Sequence, residues 1–287
     1  MTTASDVVLG YLRIQGDVIA GRADDVRVDA PDAVHRSRVA TRRSRSALRT
    51  FAPLFRRAPV RALRDELAWH ADHLGAPRDA EVLKERLLAA LATLPADPAY
   101  GPIAERLAAS LDETHARAHA SLVESMATDR YTALREALAA FLSDPPVRKS
   151  SRENGADVLP DLLAGAVDRV GRLTERAAEI DEDAHRWHEV RKAAKAARYC
   201  SEALIPAFGD DARTLAEAWE QVTESFGEHQ DTVVAETYLA TEAVRASQAD
   251  EPADGYLALI ALELDLREEA LHTGQRALHE ALELPLP

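Results

Sequence analysis

One cysteine, Cys200, stands among 287 residues, so no internal disulfide can form and a reducing cytoplasm is the expected setting. No window approaches 18 uncharged apolar residues, which removes a spanning helix and a membrane partner from expectation. The opening "MTTASDVVLGYLRIQGDVIAG" lacks a basic segment followed by a long apolar run, so no signal peptide is expected. Alternating Val/Ile runs are missing, which argues against strands. Aromatics reach only 5%, too sparse an interleaving for stacking single-stranded nucleic acid. G-x-S-x-G, P-loop and G-x-G-x-x-G motifs are absent, and with them the usual signs of a serine nucleophile or a nucleotide cradle.

What remains is rich in Ala, Leu, Arg and Glu, with 46% hydrophobic and 29% charged residues, a helix-forming mixture with ample apolar side chain for a core. Apolar residues recur at three- and four-residue spacing. They predict helices near 3–20, 32–52, 58–74, 78–93, 99–127 and 130–142, then near 159–180, 184–205, 211–226, 229–248 and 255–284. Prolines and glycines mark the expected ends, notably Pro53, "GAP" at 75–77, Pro206 and Gly209.

The stretch "SDPPVRKSSRENGADVLP" divides the chain into an N-terminal half (1–143), a linker (144–160) and a C-terminal half (161–287). The halves resemble each other. "VHRSRVATRRSRSALRTFAPLF" (34–55) lies over "WHEVRKAAKAARYCSEALIPAF" (187–208) without a gap, and "LGAPRD" (74–79) over "FGEHQD" (226–231) at nearly the same offset. Two such matches in register indicate an internal duplication: an all-α fold of two helical bundles related by a pseudo-twofold axis.

The net charge of −14 is unevenly spread, since Ala33 to Arg64 contains ten arginines and no acid. On a helix, His35, Arg38, Arg42, Arg45 and Arg49 fall within roughly 80° of one another as a single longitudinal stripe. His188, Arg191, Lys195 and Arg198 repeat it, with Glu202 in the last place. Solvated helix faces usually interleave acids at i±4, and the first stripe has none. Buried without partners, four guanidinium groups in a row would be intolerable, so an inward-facing stripe must line a wet cavity or meet a polyanion. Arginine suits the second role, because its planar fork donates two parallel bonds to phosphate oxygens and keeps its charge. A stripe repeating every helical turn suits a linear polyphosphate, whereas a single nucleotide would engage only part of it.

These paired segments, with the Gly-x-x-x-Asp elements between them, resemble the signatures of the CHAD domain, the conserved histidine α-helical domain. The likeness covers essentially the whole chain. It implies two bundles around a central basic channel that binds inorganic polyphosphate, often with association with polyphosphate granules. Carried onto matching positions, the binding residues are His35, Arg38, Arg42, Arg45, His188, Arg191, Lys195 and Arg198. Arg49 extends the first stripe by a turn, and Arg43 and Lys192 flank the two stripes. A departure is Ala196–Ala197, where a basic and a large apolar residue often follow the lysine. An E-x-E-x-K triphosphate-tunnel signature is absent too, so a stand-alone, non-catalytic binding module is expected, without cofactor or metal and with nucleic acid disfavoured by the acidic body.

Other constellations are weaker. Asp79 and Asp231 read best as caps at helix N-termini, with steering of a basic side chain the lesser reading; Arg78 is a candidate addition to the basic set. His115/His119 have zinc-compatible i,i+4 spacing but no third ligand, and His70/His73 are equally unsupported. Glu182/His185 and Glu269/His272 form two Glu-x-x-His motifs, the mark of a di-iron bundle and, with a metal-dependent phosphohydrolase, the enzyme alternative. Cys200, Trp69, Trp187 and Trp219 read as packing residues.

Overall fold

The computed structural model describes residues 2–179 and 184–287. The helices are α1 (Ala4–Gly21), a short α2 (Ala23–Arg27), α3 (Ala33–Thr50), α4 (Arg57–Thr93), α5 (Ile103–Met126) and α6 (Asp129–Ser143). They continue as α7 (Gly155–Ala178), α8 (Ala184–Phe208), α9 (Asp210–Gln248) and α10 (Asp254–Glu283). Caps follow from local chemistry. Thr3 and Asp6 close a reciprocal capping box on α1, while the Thr128 and Asn154 side chains accept from the first turns of α6 and α7. Gly209, at φ 60°, makes the left-handed turn that lets α9 start directly after α8.

The duplication predicted from the sequence is visible in the packing. α1 packs on α3, α3 on α4 and α4 on α5, and the same succession returns as α7 on α8, α8 on α9 and α9 on α10. α2 and α6 are additions to the first half. The halves meet where α3 lies against α8, the two helices that carry the basic stripes. Both present small buried residues: Ser37, Ala40, Thr41 and Ser44 on α3, and Ala193, Ala194, Ala197 and Ser201 on α8. Small side chains shorten the distance at which helices pack, so the long cations on adjacent faces share one margin.

The main core gathers Phe51, Phe55, Leu67, Trp219 and Phe226 around this contact, with Trp187 stacked on Phe226 at 5.3 Å between ring centroids. A smaller cluster of Leu87, Leu107, Leu111, Leu239, Tyr256 and Leu259 joins α4, α5, α9 and α10. Trp69 is only partly buried, under the Arg130 guanidinium at 4.5 Å.

Two predicted breaks do not exist. α4 runs unbroken through "GAP" and α9 through "FGEH". Pro77 removes one backbone hydrogen bond, a loss of about 3 kcal/mol in an isolated helix. Here Leu74, Pro77 and Ala80 are buried and α4 is clamped between α3 and α5, so packing outweighs the local penalty. α8 likewise continues through Pro206 to Phe208. Helix α5 starts only at Ile103, after a 3-10 turn at Pro98–Tyr100, and α7 begins at Gly155.

Candidate functional site

α3 and α8 bring their stripes together in register. Arg42 crosses from α3 and donates from Nε to the Tyr199 hydroxyl of α8 at 2.8 Å. Beside this bridge lies a cleft of about 180 Å³, lined by Arg42, Arg45 and Arg49 of α3, Lys192 and Lys195 of α8, and Arg64 of α4. Its neutral lining is Ser46 and Tyr199, which occupy equivalent places in the duplication, each one residue after a stripe arginine. Ser46 is buried, and its Oγ has no hydrogen-bond partner among the described residues.

Arg38 and Arg191 form the next layer, and here the duplicated glycines and aspartates find their purpose. Each arginine lies across the glycine of the neighbouring long helix. A Cβ on Gly75 would sit 3.9 Å from Arg38 Nε, and one on Gly227 would sit 3.3 Å from Arg191 Nη2. One turn beyond the glycine an aspartate meets the guanidinium. Arg38 pairs with Asp79 at 2.8 Å, and Asp231 is the main opposite charge acting on Arg191. The capping role expected of Asp79 and Asp231 is thus overturned, because both lie inside continuous helices, α4 and α9, with no free N–H groups to cap.

The histidines frame this layer. His188 is bonded through Nδ1 to Gln230 Oε1 at 2.8 Å, whereas His35 is exposed. Both are held below the usual histidine range by partial burial first and by neighbouring cations second, Arg78 foremost for His35. Arg78 itself is paired with Glu81 at 2.7 Å.

At the other end of α8 the cations are already engaged. Glu202 accepts from Arg43 Nη2 at 3.1 Å, from Arg198 Nε at 3.0 Å and from the Tyr11 hydroxyl at 3.0 Å. Arg198 also pairs with Glu220 and donates to Thr223 Oγ1 at 3.2 Å. Lys192 pairs with Glu189 at 2.7 Å. Arg43 and Arg198 therefore brace the helix contact and do not line the cleft.

The rest stand differently. Arg42, Arg45, Arg49, Arg64, Arg191 and Lys195 form no ion pair among the described residues, and Arg191 Nε is buried without a partner. Such crowding is electrostatically costly, and the titration behaviour records it. Burial, then Arg191, Arg42 and Arg38, lower the Lys195 ammonium to about 6 against the partial compensation of Asp231. Burial, then Arg169, Arg64 and Arg45, lower Arg49. Sequence reasoning missed Arg64, Arg169, Ser46 and Tyr199 as site groups. A signal existed for Arg64, which closes the acid-free run, and for Ser46 and Tyr199 in their matched positions.

The remaining constellations are structural. His115 bonds the Pro77 carbonyl at 3.0 Å and Asp29 at 2.7 Å, and His119 bonds the Val26 carbonyl at 2.7 Å, tying α5 to α2 and α4. Cys200 is buried, which pushes its thiol pKa up and keeps it protonated. His70 is buried against Tyr131 and lowered to about 4. Glu269 and His272 are exposed on α10, and Glu182 lies outside the described residues. Among the described residues no three His, Cys, Asp or Glu side chains converge in a metal-binding arrangement, and no helix is long and apolar enough to cross a membrane.

Against known proteins, the CHAD domain family model matches residues 10–240. The uncharacterized protein Rv2226 of Mycobacterium tuberculosis is 33% identical over 266 residues, which is 90% of this chain and 50% of the relative. The uncharacterized protein MT2285 of another strain of that species matches equally. The chain thus spans about half the length of the curated relatives it matches. Among solved structures, PptA from Streptomyces chartreusis superposes with a TM-score of 0.79 at 24% identity, covering 96% of this chain and 99% of that one. The CHAD domain from the plant Ricinus communis superposes with a TM-score of 0.76 at 25% identity, covering 100% of this chain and 94% of that one.

Proposed function

Because this chain belongs to the CHAD domain family, we propose that it binds inorganic polyphosphate, without hydrolysing it, in the basic cleft between α3 and α8. The observation that carries this reading is the convergence of Arg42, Arg45, Arg49 and Lys195 from duplicated helices on one cleft, with no carboxylate paired to them among the described residues. A protein sustains such crowding when a guest neutralises it, and the guest must be a strong anion. Repetition along α3 favours a chain of phosphates over one phosphate. Arg42, Arg45 and Arg49 stand on successive turns and present a charge about every 5 Å along the helix.

Each group has a distinct part. Arginine forks take pairs of non-bridging oxygens. Lys195 supplies a mobile point charge that regains its proton as the anion arrives. The Tyr199 hydroxyl accepts from Arg42, which leaves its own proton for a phosphate oxygen, and Ser46 Oγ is a second neutral donor. Asp79 holds Arg38 over Gly75, while Arg191 lies against Gly227 under the charge of Asp231 without pairing to it. The acidic exterior keeps the protein soluble and repels casual polyanions. Cytoplasmic residence, at polyphosphate granules where these exist, belongs to the same proposal.

The test is titration of the purified protein with long-chain polyphosphate, beside the double variant Arg42→Glu, Lys195→Glu. Placing carboxylates among cations preserves the fold, as circular dichroism will check, while reversing the cleft's field. Binding by the double variant at wild-type affinity would overturn the site. Incubation with divalent metal should leave chain length unchanged; progressive shortening would replace the binding role with a hydrolytic one.

A further inference from the structure

We propose that the basic track is one-ended: it continues past Arg49 onto Arg64 of α4 and Arg169 of α7, and a bound chain leaves the protein over these two arginines. The proposal rests on the polyphosphate reading and adds to it a direction and an unassigned subsite.

Three margins of the cleft differ in sign. Beyond His35, at the N-terminal end of α3, a second hollow of about 310 Å³ is rimmed by Asp29, Asp32, Glu81, Glu85 and Asp112. The cations there, Lys84 and His115, are already bonded to Asp112 at 2.6 Å and Asp29 at 2.7 Å. An anionic chain extended in that direction meets carboxylates. On the α8 side the duplicated place of Arg49 is Glu202, and with Glu220 it ties up Arg198. That path is closed as well.

The C-terminal end of α3 is different. Arg64 lines the cleft beside Arg49, and Arg169 is the strongest of the cationic influences on Arg49. Neither arginine has an ion-pair partner among the described residues. The one opposing influence there, Glu189, is held by Lys192 at 2.7 Å. Arg169 is exposed and Arg64 half-buried, so together they grade from the cleft into solvent. The second half has no equivalent, since in the α4/α9 register set by Gly75/Gly227 and Asp79/Asp231 the place of Arg64 is taken by Ala216. The pseudo-twofold symmetry is thus broken in charge, and only at this end do three helices offer cations to one emerging chain.

Chain length is the variable that tests it. A triphosphate fills the inner cleft, whereas a long chain also covers the exit. The affinities of wild type, Arg64→Glu/Arg169→Glu and the charge-matched surface control Arg245→Glu/Arg276→Glu, two exposed arginines away from the cleft, should be measured for tripolyphosphate and for a chain of many tens of phosphates. The exit variant should lose at least about tenfold for the long chain and distinctly less for tripolyphosphate, and its log-affinity should fall less steeply with salt as fewer counterions are released. Equal losses for both lengths, or long-chain affinity matching the Arg245→Glu/Arg276→Glu control, would overturn the one-ended track while leaving the central site standing. Failure of the wild type to bind either anion would instead overturn the polyphosphate reading, and the exit with it.

Discussion

Polyphosphate binding should take up a proton at Lys195. In the empty cleft burial and the charges of Arg191, Arg42 and Arg38 hold this ammonium at about 6, with Asp231 of α9 as the opposing carboxylate. At pH 7 only about a tenth of the molecules then carry the charge. Phosphate oxygens replace the lost hydration and reverse the local field, so the bound form returns toward the ordinary lysine range. With a bound value above about 9, affinity should fall about 50-fold between pH 6 and pH 8, or about 2.3 kcal/mol, from this group alone. His35 and His188 are held below the usual histidine range by burial and neighbouring cations. Interior phosphates of a long chain remain ionised throughout. Calorimetric titration in two buffers of different ionisation enthalpy counts the protons directly. Uptake should approach one per site near pH 7.5 in the wild type and vanish in Lys195→Arg, whose guanidinium is always charged. Wild-type uptake near zero, or an unchanged pH slope in Lys195→Arg, would refute the reasoning.

Lys195 also makes a stability statement. The folded protein binds fewer protons here than the unfolded chain between pH 6 and the ordinary lysine value of 10.5, so the native state is penalised at neutral pH and gains as pH rises. Lys195→Met should therefore raise stability at pH 7 by at least about 1 kcal/mol while weakening polyphosphate binding, and a lowered melting temperature would count against it. The two duplicated glycines should respond unequally. Gly75→Ala places its Cβ in ordinary contact with Arg38 and should stabilise α4 by about 0.5–1 kcal/mol, whereas Gly227→Ala crowds Arg191 at 3.3 Å and should forfeit that gain and weaken binding several-fold. Arg86 is bonded to the fully buried Glu263 at 2.7 Å and to Glu228 at 2.7 Å. Arg86→Met should cost about 3–5 kcal/mol at neutral pH. The loss should shrink as the medium is acidified, because burial already raises the Glu263 pKa and protonation removes the stranded charge; denaturant melts at pH 5 and pH 7.5 compare the two.

The all-helical fold and its duplication were legible because both are written in local pattern: three- and four-residue apolar spacing, and a motif repeated in register. The continuity of α4 and α9 was not. Gly75 and Pro77 are strong local breakers, and only the clamp of α3 and α5 on either side explains why the helix persists. The same error hid the role of Asp79 and Asp231. Taken as helix starts, they look like caps, but one turn beyond a glycine in an unbroken helix they become anchors for Arg38 and Arg191. The stripe predicted which cations share a face, but sequence could not say which are already engaged. Arg198 meets Glu202 one turn along its own helix, a spacing visible in sequence, but Arg43 reaches the same carboxylate from another helix only through packing. Arg169 is nearly invisible in sequence, since it reaches the track from α7, over a hundred residues beyond Arg49.

Duplication explains the charge arrangement better than composition does. A chain of net charge −14 needs cations that do not collapse onto its own 49 carboxylates. Packing α3 against α8 through serine and alanine faces keeps the margin between them narrow. Asp79, Asp231 and Glu202 stand toward the ends of that margin, and Glu189, which acts on Arg49, is already paired with Lys192. Those anchoring acids orient the outlying arginines and leave Arg42, Arg45 and Lys195 to repel one another. Burial first and this repulsion second lower the Lys195 proton affinity, and on the proposed reading an arriving polyanion relieves both. An acidic body and a basic cleft are therefore compatible: carboxylates more than about 8 Å from the margin, a Debye length at physiological salt, oppose surface binding while acting only weakly between the stripes.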